Sequence, residues 1–201
     1  MFTYLLFLPK IITGLFIPTK LFQPQIKIIQ IFSRFTWEIP QTLLALLVFV
    51  FLFFSLRISS IIFSHGAVII KTKGKFGGFT LSNFIIGDSE IEGNPSQRLF
   101  QHEFGHVLQS LKSGPIYLFK FGLPSLISAY RNKGAIHAKH PVEQDANVQA
   151  KTFWDTNYQH TYLWNEKYNP IYKSIAPATI MWYDFVPVYF PLVHLVKAFK
   201  K

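Results

Sequence analysis

The apolar run from Thr42 to Phe63, TLLALLVFVFLFFSLRISSIIF, limits most strongly what this chain can fold into. The part from Leu43 to Leu56 contains no charged residue, and Arg57 interrupts the run near its end. About 20 mostly apolar residues are enough to cross the hydrocarbon core of a bilayer as a helix. We therefore predict a transmembrane helix at residues 39–64, with a buried core helix as the alternative.

The two ends of the chain have the character of segments that contact a membrane surface. Residues 1–38 mix aromatic and basic residues between Pro9, Pro18 and Pro24, which predicts short interfacial helices. Residues 175–201 are apolar and rich in proline, which predicts a membrane-contacting segment. A formal net charge of +10 favours membrane lipids with anionic headgroups as partners. No nucleic-acid-binding motif is present, so we expect no nucleic-acid partner.

Residues 65–174 follow a different pattern, which predicts a folded core. Their first part is rich in β-branched and aromatic residues and is broken by glycines, which predicts one or two hairpins. A helix is then expected, with Asn94 as its cap and Gly114 at its end. A second helix is expected from Pro141 to about Phe153. The predicted fold is therefore mainly α with a small β element, an α+β class, combined with transmembrane and interfacial helices.

The first of these core helices contains the motif HEFGH. His102 and His106 are four residues apart, so both face one side of the helix and can bind one metal ion. Glu103 points beside them, where its carboxylate can take a proton from a water molecule at the metal. Zinc held by two histidines and a carboxylate keeps a fourth position open for that water. The motif therefore predicts one zinc ion per chain, with Glu103 as the catalytic base.

The third zinc ligand has to come from elsewhere in the chain. Glu143 is the best candidate because it lies early in the second core helix. Asn147 follows one turn later on the same face, where it can hydrogen-bond a ligand residue. His137 and His140 lie close to Glu143 in the sequence and are alternative ligands.

The motif HEFGH, followed downstream by EQDAN at residues 143–147, resembles the pattern of gluzincin zinc metallopeptidases. The same residues also resemble small bacterial membrane-associated proteins with an H-E-[FY]-G-H motif. The resemblance implies a zincin-like core, in which an extended strand before the motif helix pairs with the substrate backbone. The segment Gly77–Gly87 is placed to do that. The chain departs from the gluzincin pattern at Asn147, where the usual residue is Asp.

These features together predict a zinc-dependent metalloendopeptidase in a membrane, with a bacterial inner membrane as the expected location. Its substrate would be a peptide or protein at that membrane. The alternative is a non-enzymatic membrane protein whose metal site is structural or degenerate. A third interpretation is a basic module that only binds membrane surfaces. The sequence predicts neither the oligomeric state nor the side of the membrane that holds the site.

Overall fold

A computed structural model of the protein describes residues 5–16, 31–132, 135–158 and 162–172. The predicted segment 175–201 and much of the predicted segment 1–38 lie outside these residues. The strands are β1 (Ile58–Ser64), β2 (Ala67–Thr72), β3 (Gly78–Leu81) and β4 (Phe84–Gly87). The helices are α1 (Phe7–Leu15), α2 (Ile39–Phe54), α3 (Arg98–Ser113), α4 (Leu123–Arg131), α5 (Ala135–Ala138) and α6 (Pro141–Tyr158). A 3₁₀ turn, Gly114–Ile116, and a π-helical turn, Leu118–Gly122, connect α3 to α4.

The predicted transmembrane helix at residues 39–64 is wrong. The helix α2 ends at Phe54 after 16 residues, and Leu56 takes a positive φ of 54°. The rest of the apolar run forms β1, since its β-branched isoleucines favour an extended strand that pairs with β2. Among the residues that the structure describes, no helix combines the length and the apolar character needed to cross a bilayer. The α+β class itself agrees with the prediction.

The described strands form one mixed sheet in the order β1-β2-β4-β3. The expected hairpin character is confirmed for β3 and β4, which pair antiparallel. A second hairpin joins β1 to β2 through a turn in which His65 and Gly66 both have positive φ. The parallel pairing of β2 with β4 then unites the two hairpins into one sheet.

Helices cover both faces of this sheet, and successive side chains of β2 pack alternately against the helices on one face and on the other. Val68 and Ile70 belong to the core shared with α1 and α2. Ala67 and Ile69 belong to the core shared with α3 and α6. Because successive residues of a strand point to opposite faces, a strand covered on both sides has consecutive apolar residues, as in the first four residues of β2. The motif helix α3 is thereby fixed on one face of the sheet, next to α6.

Two buried charged residues hold the start of α2 in place. Arg34 donates hydrogen bonds to the carbonyl oxygens of Gly14 (3.1 Å) and Leu15 (2.7 Å) at the end of α1. Glu38 accepts a hydrogen bond of 2.6 Å from the hydroxyl of Ser110 on α3. Burial lowers the pKa of Arg34 to about 10, although the charge of Glu38 opposes the shift. Burial also raises the pKa of Glu38. These contacts fix α2 relative to both α1 and the motif helix.

Candidate metal centre

The motif helix α3 begins three residues later than the capping pattern predicts. Its N-cap is Gln97, whose side-chain oxygen accepts a hydrogen bond of 2.7 Å from the backbone N–H of Phe100. The prediction of Asn94 as the cap is therefore wrong. The expected end of the helix is confirmed, because Gly114 follows the last helical residue with a φ of 54°. The pattern HEFGH thus lies in the second and third turns of a regular, capped helix.

The structure brings together the three residues that the sequence predicts as zinc ligands. The Nε2 atom of His102 lies 2.9 Å from Oε2 of Glu143, and Nε2 of His106 lies 3.3 Å from the same oxygen. One potential ligand atom from each residue lies within 4.8 Å of the other two. His106 and Glu143 are buried, and His102 is partly exposed. Two imidazoles from α3 and one carboxylate from α6 therefore converge on a single point.

The other ring nitrogens show which tautomer each histidine adopts. The Nδ1 atom of His102 lies 2.8 Å from the side-chain oxygen of Asn147, and Nδ1 of His106 lies 2.7 Å from that of Gln109. An amide oxygen only accepts hydrogen bonds, so Nδ1 carries the proton in both rings. In the neutral form, each Nε2 then points an unshared electron pair toward Glu143. Histidine ligands are commonly oriented by such an outer hydrogen bond.

Further contacts fix the orientation of the two amides. The nitrogen of Asn147 donates to the carbonyl of Pro170 (3.2 Å), which leaves its oxygen for His102. The nitrogen of Gln109 donates to the carbonyl of Val142 (3.0 Å) and to Asp145 (2.7 Å). Each amide oxygen is thereby directed to a histidine. The sequence identified Asn147 as a supporting residue but missed Gln109 and Asp145.

The donor set fits a metal ion. With both histidines neutral, three electron-pair donors face one another at 2.9 and 3.3 Å, which is unfavourable unless a cation lies among them. The second carboxylate oxygen of Glu143, Oε1, is buried and has no hydrogen-bond partner among the described residues. Two imidazole nitrogens and one carboxylate oxygen are a typical ligand set for catalytic zinc. The residues present can therefore hold zinc with one coordination position left over.

When no metal is bound, Glu143 favours the protonated forms of both histidines. Burial lowers the pKa of His102, but the hydrogen bond and charge of Glu143 outweigh this effect and raise the pKa to about 9. For His106 burial again lowers the pKa, and Glu143 more than compensates, so that the pKa is raised. Burial raises the pKa of Glu143, yet the two histidines hold it well below its usual range. A metal ion has to displace these protons, so its affinity depends on pH.

Glu103 lies beside the three-residue group rather than within it. Its carboxylate is buried and accepts a hydrogen bond of 2.8 Å from the hydroxyl of Thr80 on β3. Gly78, on the same strand, leaves space for this carboxylate, since a Cβ atom there would lie 2.9 Å from Oε1 of Glu103. The strand β3 therefore both holds and makes room for the predicted catalytic base.

A cleft of about 590 Å³ opens above these residues. One wall is β3, and the opposite wall comes from residues 117–129. Leu44 and Val48 of α2 line a further part of it. The carboxylates and imidazoles among the described lining residues belong to the metal centre and its rim, and the other lining residues are glycines or have apolar, aromatic or hydroxyl-bearing side chains. The cleft is thus apolar, with its ionisable groups gathered at one place.

The strand β3 lies at an edge of the sheet, with β4 as its only neighbour among the described strands. Part of its open edge is already occupied, because the hydroxyl of Tyr117 donates to the carbonyl of Thr80 (3.0 Å). Backbone groups in an antiparallel pair alternate between the inner and outer sides, so Gly78 presents its groups to the same side as Thr80. Tyr117 lies 37 residues after Thr80 in the chain, and no sequence pattern predicts this contact.

The two alternative ligands have different surroundings. His137 lies at the rim of the cleft, with Nε2 3.8 Å from Oε2 of Glu143 and Nδ1 3.0 Å from the hydroxyl of Ser128. Burial lowers the pKa of His137, and the charge of Glu143 opposes the shift. His140 stands at the start of α6, where its carbonyl accepts a hydrogen bond from the backbone N–H of Gln144 (3.0 Å). Neither belongs to the group of three converging ligand atoms.

Comparison of the chain with protein-family models, with curated proteins and with solved structures found no match. The similarity to gluzincins therefore rests on the residues of the two motifs alone. Function has to be argued from the geometry of the site and from its chemistry.

Proposed function

We propose that the protein hydrolyses peptide bonds at a zinc ion held by His102, His106 and Glu143. The observation that carries the proposal is the convergence of two Nε2 atoms and one buried carboxylate at the floor of a cleft, beside Glu103. Structural zinc sites usually have four protein ligands, whereas catalytic sites have three and keep one position open. Among the described residues three ligands converge, and this number together with the cleft favours a catalytic role.

Each side chain has a defined task in this reaction. A bound zinc ion supplies Lewis acidity, which lowers the pKa of a water molecule to about 7. Glu103 takes a proton from the attacking water and delivers it to the leaving amine. The hydroxyl of Thr80 keeps the carboxylate of Glu103 in position for both transfers. Asn147 and Gln109 hold the two imidazoles in the tautomer that binds a metal.

The cleft favours a peptide that presents apolar side chains. Apolar walls stabilise apolar groups, and the few polar groups in such a pocket set the orientation of the ligand. Because the hydroxyl of Tyr117 already occupies the carbonyl of Thr80, a peptide can pair with the backbone of β3 at Gly78 but not at that carbonyl. Side chains in the cleft therefore contribute more to recognition than an extended backbone ladder would.

The proposal is tested by measuring zinc content and peptide hydrolysis on the same preparations. Wild-type protein is expected to hold about one zinc per chain and to cleave fluorogenic peptides with apolar residues around the scissile bond. Glu103→Gln is expected to keep the zinc and lose the cleavage, because it removes the base but no ligand. Glu143→Ala is expected to lose both. Glu92→Gln, a matched change at an exposed glutamate, should alter neither.

Different failures contradict different parts of the proposal. Cleavage that survives Glu103→Gln would remove Glu103 from the reaction. Zinc that is retained in Glu143→Ala but lost in His106→Ala would transfer the third ligand to His137 or His140. A zinc-loaded wild type that cleaves no peptide would leave the centre as a structural metal site, and a wild type that binds no zinc would refute the metal centre itself.

A further inference from the structure

The helix α2 is apolar on its outer side as well as on its inner side. Its buried side contributes Ala45, Phe49 and Leu52 to the core and also includes the polar residues Gln41 and Thr42. Ordinary surface helices instead carry polar residues on the side away from the core. The exposed side has large apolar residues with 46% to 78% of their surface accessible; this outer stripe consists of Leu43, Leu47, Val50, Phe51 and Phe54. Their spacing follows the helical period, so they form one continuous row.

The neighbouring helix α1 extends this apolar character. Both helices cover the same face of the sheet, and their inner residues share one core. The side of α1 that points away from that core exposes Leu8 and Ile12, each about half accessible. Exposed apolar patches of this kind on a protein mark surfaces that bind another molecule.

The charge distribution indicates what that molecule is. Within residues 1–87, Glu38 is the only acidic residue, and it is buried. The eight basic residues of the same segment are Lys10, Lys20, Lys27, Arg34, Arg57, Lys71, Lys73 and Lys75. Arg57 and Lys73 lie just beyond the last residues of the outer stripe, are exposed, and adjoin each other through a backbone hydrogen bond of 3.0 Å. The apolar row therefore ends at a basic cluster.

We infer that α2 docks on the surface of an anionic lipid bilayer, with the outer stripe in the boundary between headgroups and acyl chains. Apolar residues on one side and basic residues at the edge are the features by which interfacial helices bind such surfaces. The helix lies along the surface and does not cross it.

Charge argues against two other occupants of the outer stripe, a second copy of the chain and residues 173–201. A second copy of the chain would bring together two surfaces that both carry excess positive charge, which opposes association. Residues 173–201 contain four lysines and one acidic residue, Asp184, so this segment is also basic. An anionic bilayer supplies the opposite charge.

The docked face lies next to the cleft. Leu44 and Val48 alternate with residues of the outer stripe along α2, and both line the cleft. Docking by the stripe would therefore hold the cleft beside the lipid surface. This placement is independent of the hydrolysis proposed above, and it is tested without any measurement of activity.

The test is sedimentation of the full chain with lipid vesicles. Vesicles of phosphatidylcholine alone are compared with vesicles of equal parts phosphatidylcholine and phosphatidylglycerol. The wild type is expected to bind the anionic vesicles, and to bind less as salt rises from about 0.1 M to about 1 M, where the Debye length shortens. Leu47→Glu with Phe51→Glu is expected to reduce this binding roughly ten-fold or more. Both side chains are mostly exposed, so the fold should tolerate the change.

The matched control is Val148→Glu with Leu163→Glu, which adds the same charge at two exposed apolar residues away from α2. It should bind vesicles nearly as the wild type does. Equal loss in both double variants would show a general charge effect and overturn the inference. So would a wild type that ignores anionic vesicles at low salt. A wild-type dimer that Leu47→Glu with Phe51→Glu converts to a monomer, without vesicle binding, would make a second copy the occupant instead.

Discussion

Replacement of Gly105 by alanine tests whether the spacing between α3 and α6 sets the metal centre. Gly105 lies between Glu103 and His106 on α3. A Cβ atom at this position would lie 2.1 Å from the carbonyl oxygen of Ala146 and 2.6 Å from its carbonyl carbon. Ala146 is on α6, three residues after Glu143, so both lie on the side of α6 that faces α3. Any shift that relieves the clash also moves the third ligand.

The size of the effect follows from the distances. A carbon and an oxygen normally approach to about 3.3–3.6 Å, so the two helices would have to separate by roughly 1 Å. Alanine in a helix gains about 1 kcal/mol over glycine, whereas overpacking costs about 1–3 kcal/mol and more where backbone has to move. We expect a net loss of about 2 kcal/mol and a melting temperature lower by roughly 4–8 °C.

The assay combines thermal unfolding of the metal-free protein with zinc titration. Gly105→Ala is expected to unfold earlier and to bind zinc roughly ten-fold or more weakly, because Glu143 is displaced. The matched control is Gly122→Ala, since a Cβ atom there would have no neighbour closer than 3.6 Å. That variant should be as stable as the wild type or slightly more so. Wild-type stability and zinc affinity in Gly105→Ala would refute the role assigned to the helix spacing.

Three further predictions concern the same site. Gln109→Leu removes the acceptor for Nδ1 of His106 and should weaken zinc binding roughly 10–100-fold, measured by competition with a chelator. In metal-free protein the raised pKa of His102, about 9 against 6.5, stabilises the fold fully below pH 6.5. That contribution is lost as pH rises through 9, so the free energy of unfolding should fall over this range, and zinc-loaded protein should fall less. Gly78→Ala should displace the carboxylate of Glu103 and lower kcat while zinc content stays unchanged; unaltered kcat would contradict this.

The sequence predicted which residues lie together at the site better than it predicted the environment of its longest apolar run. His102 and His106 could be identified from helical spacing, because residues four apart share a face whatever the rest of the fold does. Glu143 could be identified from its place early in the next predicted helix. The residues that orient them were harder to find. Gln109 lies three residues after His106 and could have been suspected from that spacing, but Asp145 reaches it only through the packing of α6 on α3.

The error at residues 39–64 has a local physical cause. Hydrophobicity alone does not distinguish a lipid-spanning helix from a shorter helix followed by a strand of a sheet. The change occurs at Leu56, where φ is positive, and the β-branched residues after it favour pairing with β2. The run of Ile58, Ser59, Ser60 and Ile61 contained that information. Which side of α2 faces outward depends on which side of the helix the sheet covers, so the apolar run alone does not predict it.

The contact between Tyr117 and the carbonyl of Thr80 also affects how copies of this chain behave toward one another. An open sheet edge is a template on which a strand from another copy can pair, and such pairing leads to aggregation. Tyr117 occupies the edge at β3, and the side chain of Lys10 donates to the carbonyl of Ile61 (3.4 Å) on β1 at the opposite edge. Both edges of the sheet are thus partly closed to the addition of a further strand. The opening at Gly78 is too short for a stable intermolecular ladder.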